Sequence, residues 1–237
     1  MIKHIRFEEL GTENYGWLQT RYHFSFAAYY NPQRMGFGKL RVINDDIVAA
    51  GHGFDPHPHK NMEIISYIRS GSVSHEDSEG NKGLTETGEV QVMSAGTGIM
   101  HSEYNLSEQP LTLYQIWIET DKPNVQPRWE SKKFSTTPVT QKLPLLVSGF
   151  AQDKDSALFI HQQARIFGGC LKQGSVITQE IAAQAYVLAS KGQFIISDRD
   201  NKEVFLNQGD GAQVTETDLL TVLAVTDCEL VIIDVPS

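Results

Sequence analysis

Cysteine is scarce: the 237-residue chain has two, Cys170 and Cys228, 58 positions apart in apolar surroundings. That excludes a metal site built on thiolates, and the pair reads as buried, inert thiols of a cytosolic chain. No apolar run approaches the roughly 18 residues that a membrane-spanning helix needs. The opening MIKHIRFEEL carries charges at positions 3, 6, 8 and 9, so the apolar core of a secretory signal is missing. Basic charge is also short, with 20 Lys+Arg against 29 Asp+Glu, a formal net charge of −9. Such a field repels a phosphate backbone, which argues against direct nucleic-acid binding. The expectation is a cytoplasmic protein without a membrane or nucleic-acid partner.

Helical signals are few, and the one weak candidate, Asp45–Val48, is too short to matter. Strand signals are many. Lys39–Ile43, Glu63–Ile68, Glu89–Met93 and Leu111–Ile118 are short, β-branched or aromatic, and partly alternating. Clusters of Gly, Asn and Asp separate them: NDD at 44–46, GHGFDP at 51–56 and DSEGNKG at 77–83. Short strands punctuated by turn residues predict an all-β sandwich or barrel.

The two halves resemble each other. YIRSGSV (67–73), a polar turn and TGEVQVM (87–93) are echoed by VLASKGQF (187–194), DRDNK (198–202) and QGDGAQV (208–214). Gly71 and Gly88 map onto Gly192 and Gly209 with one offset of 121. LTLYQIWI (111–118) likewise matches CELVIIDV (228–235). Between the halves, residues 121–143 hold three prolines and little alternation, which predicts an extended connector. The reading is a duplicated barrel.

Of eight histidines, His4, His23, His75 and His161 are scattered and read as surface or satisfied polar residues. His52 sits in a Gly-rich loop and is ambiguous. The other three are organised: His57 and His59 stand two apart in DPHPHKNME, and His101 and Glu103 stand two apart in GIMHSEYN. Residues two apart on a strand face one side. Two such strands brought together would present three imidazoles and a carboxylate to one point, a donor set suited to a first-row divalent ion. The set supplies one negative charge, so the ion keeps a net positive charge and can bind an anionic oxygen or activate water.

The run from Gly51 through His57, His59 and Glu63 resembles the first cupin motif, with five residues between the glycine and the first histidine. His101 followed by Asn105 resembles the end of the second. More specifically, HPHKNMEIISY, MSAGTGIMHSEYN and FSFAAYYNPQRMGFGKLRVINDD are similar to the pirin family across most of residues 15–130. The resemblance implies a bicupin of two tandem jelly-roll barrels. Residues 1–130 would form the N-terminal metal-binding cupin and 131–237 a degenerate cupin without metal. It implies one divalent metal per chain, commonly Fe(II), with Zn, Mn, Ni or Cu also suited to the donors. It places the ligands at His57, His59, His101 and Glu103. The general cupin pattern would use Glu63 as the carboxylate ligand, whereas the closer match is the pirin HSE, hence Glu103. Glu63 then reads either as an acceptor that orients a histidine ring or as a solvent-facing strand carboxylate. Under the offset of 121 the four ligand positions become Thr178, Glu180, Val222 and Ala224, with no imidazole left.

Bacterial pirins are associated with quercetin 2,3-dioxygenase activity. The resemblance therefore implies a dioxygenase whose partners are a flavonol and dioxygen, with ring cleavage and release of carbon monoxide. Glu103, with Glu63 as the second candidate, would be the catalytic proton acceptor. The alternative is a non-enzymatic metal- or redox-sensing co-regulator that contacts a protein partner, with which the acidic charge is compatible. A sugar or phosphosugar isomerase would want Lys or Arg near the metal to hold phosphate, and only Lys60 and Arg41 lie near the motifs. The aromatic run FSFAAYYNP (24–32) reads as core and inter-barrel packing rather than as a stacking platform.

Overall fold

In the computed structural model, which describes residues 1–237, the chain forms two compact β units. One comprises Gly11–Phe134 together with Leu158–Gln162; the other comprises Met1–Leu10, Ser135–Ala157 and Gln163–Ser237. The only helices are two three-residue 3-10 turns. No helix is long and apolar enough to cross a membrane.

In chain order, β1 is Ile2–Ile5, β2 Gly11–Asn14, β3 Leu18–Tyr22, β4 Leu40–Val48 and β5 Gly53–His59. Next come β6 Met62–Ser70, β7 Ser72–Asp77, β8 Lys82–Glu86 and β9 Glu89–Ser94. The N-terminal unit is completed by β10 Ile99–Tyr104, β11 Leu111–Glu119 and β12 Arg128–Lys133. Its large antiparallel sheet runs β12-β9-β6-β11-β4-β3-β2, and its small one β5-β10-β7-β8. Leu18, Val48, Ile68, Leu111 and Leu113 of the large sheet pack against Val73 and Phe54 of the small one. Their burial from water is what holds the sheets face to face. Residues 158–162 are fastened to this unit by main-chain acceptors: Asp121 N–H donates to His161 O at 2.8 Å, and Arg128 Nη1 to Phe159 O at 2.7 Å.

The C-terminal unit repeats the order. After β13 (Leu145–Ser148), and past the two-residue β14 (Leu158–Phe159) that belongs to the N-terminal unit, come β15 Arg165–Leu171, β16 Val176–Glu180, β17 Gln184–Lys191 and β18 Gln193–Ser197. The chain closes with β19 Glu203–Asn207, β20 Gly211–Val214, β21 Leu219–Ala224 and β22 Cys228–Val235. The small sheet β16-β21-β18-β19 is the counterpart of β5-β10-β7-β8, and β20-β17-β22-β15 the counterpart of β9-β6-β11-β4. The expected all-β tandem cupin architecture is the observed one. The repeated glycines have a physical cause. Gly71 and Gly192 have φ of +78° and +71°, and a Cβ at Gly192 would meet the Asp227 carbonyl at 2.3 Å. The same turn in each unit needs a residue free to be left-handed.

Three local expectations are corrected. NDD (44–46) is no turn: it lies inside the nine-residue strand β4, where Asp45 accepts from Arg69 across the sheet, and the dismissed helical candidate Asp45–Val48 is strand as well. GHGFDP runs into β5 rather than forming a loop throughout. The connector contains β12, which pairs with β9 at the sheet edge. In the C-terminal unit the edge beyond β20 is filled instead by β1, so the first ten residues belong there and not with the rest of residues 1–130.

Candidate metal centre

Strand β5 is the edge of the small sheet, paired only with β10. Pro56 and Pro58 cannot donate to a ladder, and an edge is where a strand tolerates them. Alternation with the prolines puts His57 and His59 on one face. Antiparallel register then sets His57 directly across from His101. The ring centroids lie 4.5 Å apart for His57–His101, 4.8 Å for His57–His59 and 5.0 Å for His59–His101. One nitrogen from each of the three falls within 4.8 Å of the others.

Their protonation suits lone-pair donation. The Asp55 carbonyl, an acceptor only, lies 2.7 Å from His57 Nδ1, so that nitrogen carries the proton and Nε2 keeps a lone pair. Burial, together with the neighbouring imidazoles His101 and His57, lowers His59 to about 4. Burial lowers His101 to about 3, with His57 and His75 adding to the effect. Both rings are neutral at neutral pH. His101 is 3% exposed, and neither of its ring nitrogens has a hydrogen-bond partner in the protein. A buried imidazole with both nitrogens idle is costly unless a ligand engages one.

Glu103 follows on β10 beyond an irregularity in the β5 pairing, so it sits behind His101. A carboxylate oxygen of Glu103 and nitrogens of His101 and His75 fall within 4.8 Å of one another. Three side chains from the large sheet donate to Glu103: Ser66 at 3.3 Å and Gln91 to Oε1, and Gln115 to Oε2. Strand register explains the convergence. Asn44, Gln115, Ser66 and Gln91 occupy consecutive positions of one cross-strand row over β4, β11, β6 and β9. Thr85 Oγ1 donates to Gln91 Oε1 at 2.8 Å and thereby fixes which end of that amide faces the carboxylate.

Several residues stand elsewhere than expected. His75 is not at the surface: it is buried opposite Glu103, pairs with Asp77 at 2.9 Å and stacks on Trp129. The sequence does carry a signal, since Asp77 stands two residues from His75 as Glu103 does from His101, but it lies outside the cupin and pirin motifs. The Ser66–Gln91–Gln115 row was silent, because cross-strand register is not written in local sequence. Glu63 neither orients a ring nor faces solvent. It is 1% exposed, accepts a hydrogen bond from Ser94 Oγ at 2.7 Å, and lies on the face of β6 opposite cavity-lining Ile64. His52 is exposed and bonds the Ala50 carbonyl. Asn105 shapes the turn after β10 by donating to the carbonyls of Val48 and Gln109. The thiol of Cys228 is pushed up to about 11 by burial, with Cys170 and Asp227 adding to it, as an inert cysteine requires.

A cavity of about 340 Å³ opens between the two sheets of this unit beside the histidines. Trp17, Phe26, Phe54 and Trp117 give it aromatic walls, and no Lys or Arg lines it. Its size is that of a small-molecule site, and the missing cation removes the phosphate holder that a phosphosugar isomerase would want.

The Pirin family model matches residues 5–118, and the quercetinase C-terminal cupin domain matches residues 145–235. A pirin-like protein of Caulobacter vibrioides is 43% identical over 236 residues, spanning 99% of each chain. The chain belongs to the pirin family. Among its pirin relatives is a quercetin 2,3-dioxygenase of Escherichia coli, 40% identical over 100% of this chain and 99% of the other. The crystal structure of the bacterial pirin YhhW from Escherichia coli in complex with nickel(II) superposes with a TM-score of 0.90 at 39% identity. It covers 100% of this chain and 99% of that one.

Proposed function

We propose that this pirin is a metal-dependent dioxygenase that opens flavonols such as quercetin with dioxygen and releases carbon monoxide. One divalent ion would be held by His57, His59, His101 and Glu103. The observation that carries the reading is His101, a buried imidazole with two unpartnered nitrogens that is shared by the His57–His59–His101 group and the His75–His101–Glu103 group. The nickel(II) in a pirin of the same fold and the dioxygenase name of a 40%-identical relative support it. Fe(II) suits the same donors.

When bound, such an ion supplies a positive centre that lowers the pKa of a coordinated hydroxyl and organises reaction with dioxygen. The chain's own residues do the rest. The aromatic walls take a planar ring system and exclude water. Glu103, held by Ser66, Gln91 and Gln115, would receive the proton of the flavonol 3-hydroxyl. His57, oriented by the Asp55 carbonyl, would offer its Nε2 to the ion. A cavity of small-molecule size with aromatic walls favours a small-molecule substrate over the co-regulator alternative.

The test is metal analysis of protein purified without chelators, followed by oxygen uptake with quercetin. The expected result is about one divalent ion per chain, equimolar loss of oxygen and quercetin, and carbon monoxide evolved. A fully metallated protein that binds quercetin without oxygen uptake would sink the dioxygenase reading and leave the sensor.

A further inference from the structure

The cavity has a second polar wall, which the metal centre does not use. Thr20 on β3 and Asn44 and Asp46 on β4 line it, with exposures of only 3, 7 and 2%. Asn44 Oδ1 and Asp46 Oδ1 have no hydrogen-bond partner in the protein, and the Thr20 hydroxyl, which faces the Asp46 carboxyl, makes no well-formed hydrogen bond to it. The register puts Thr20 directly across from Asp46, and Asn44 lies two residues along on the same face. These groups therefore share one patch of the large sheet, whereas His57, His59 and His101 belong to the small sheet opposite. A ligand lying between the sheets meets both walls.

Buried oxygens of this kind are costly to leave unpaired, and an apolar core would not gather three on one wall. Two of the three atoms are acceptors and the third is a hydroxyl that can donate or accept, a set that an O–H group, itself donor and acceptor, can satisfy. Burial, against the opposing Thr20 hydroxyl, pushes Asp46 up to about 7, and the Asp45 and Glu103 charges add to the rise. A second anion would be repelled here, while a neutral hydroxyl would be welcome. Trp17 and Phe26, beside these residues, fit the flat face of a ring.

We propose that Thr20, Asn44 and Asp46 form a hydroxyl-recognition subsite that binds the phenolic O–H groups of a polyhydroxylated aromatic substrate across the cavity from the imidazoles. The proposal rests on the flavonol reading and adds a specificity to it: the substrate must carry hydroxyls beyond the one that meets the metal centre. Sites built to hydrogen-bond a hydroxyl reject analogues that lack it, because the protein groups are then stranded.

The experiment compares quercetin with 3-hydroxyflavone, which keeps only the 3-hydroxyl. Affinities are measured anaerobically by calorimetry on metal-loaded protein, with kcat/KM alongside. Wild type should prefer quercetin by about 10- to 100-fold. Asp46→Leu, Asn44→Leu and the isosteric Thr20→Val should each weaken quercetin far more than 3-hydroxyflavone and so shrink that ratio. Each should also melt at or above the wild-type temperature without substrate, since an unpaired buried polar atom has gone. Equal wild-type affinity for the two flavonols, or a ratio that survives all three substitutions, would overturn the subsite while leaving the flavonol reading standing. Failure of the wild type to bind either flavonol would bring down that reading and the subsite with it.

Discussion

At the scale of single residues, the centre depends on groups that are cheap to deprotonate and expensive to bury alone. His57→Ala or His101→Ala should abolish stoichiometric metal binding, read by metal content after purification, whereas His4→Ala and His161→Ala should leave it intact. An unchanged metal content in His101→Ala would mean that the ligand set is wrong. His75→Phe, which keeps the stack on Trp129 but loses the Asp77 bond, should weaken the metal about 10- to 100-fold through His101 and Glu103. Acid should act through His101. Its folded value of about 3 lies below that of an unfolded histidine near 6.5, so the unfolded chain takes up a proton that the folded chain refuses. Stability of the metal-free protein from this group is therefore present above pH ~6.5 and lost as pH falls toward about 3, by up to ~1.4 kcal/mol per pH unit. Asp46 works in the opposite sense, since its raised value favours the folded form on acidification. The clean measurement is therefore a difference: the stability of His101→Leu relative to wild type should rise as pH is lowered from 7 to 4. A flat difference would remove His101 from the acid response. The three imidazoles were legible in the sequence because paired residues two apart announce a shared strand face. Asp46 was not, because NDD looks like a turn until Arg69, 24 residues away, takes up Asp45 and lets the strand run on.

At the scale of elements, β5 and β10 carry the centre, and their approach is unusually close. A Cβ added at Gly53 would lie 2.2 Å from the Glu103 carbonyl and 2.5 Å from Tyr104 Cα. Those are backbone atoms of the partner strand, so no side-chain rotation relieves them. Gly53→Ala should therefore push β5 off β10, moving His57 away from His101. The expected outcome is a loss of about 1–3 kcal/mol in stability, as for other overpacked sites, together with weakened metal binding. Retained affinity in a destabilised variant would show that β5 pivots without disturbing its histidines. The element level was also where sequence reading lost detail. Strand identity follows from β-branched runs and turn glycines, which are local. Which strands neighbour one another, and hence that Ser66, Gln91 and Gln115 line up beneath Glu103, is set by hydrogen-bonded register between segments far apart in the chain. The face assignment of Glu63 failed for a related reason: the motif spacing that made it a ligand candidate does not say which side of β6 it occupies.

At the scale of the whole molecule, duplication accounts for both the likeness of the two units and their difference. The strand orders correspond, but where β5 and β10 carry imidazoles, β16 exposes Thr178 and Glu180 and β21 buries Val222 and Ala224 in an apolar cluster. Both groups of side chains able to gather around an ion lie in the N-terminal unit. The duplication also exchanges an edge. β12 closes the sheet next to β9, and β1 takes the equivalent place next to β20, so the C-terminal unit depends on the first residues of the chain. That dependence can be measured. Removing residues 1–10 strips the β20 edge of its partner and of buried Ile2 and Ile5. It also leaves Asp210 without His4 Nε2 at 2.9 Å and the Phe7 N–H at 2.9 Å. Two buried isoleucines alone are worth about 3–6 kcal/mol. At about 4–8 °C per kcal/mol for a domain near 100 residues, the C-terminal transition should fall by roughly 10 °C or more. The N-terminal unit loses none of its own strands, so metal content should stay at one ion per chain. Calorimetry of the truncated protein in parallel with metal analysis separates the two effects. A truncation that spares the C-terminal transition would show β1 to be a passive edge. One that also empties the metal site would show the two units to be energetically coupled.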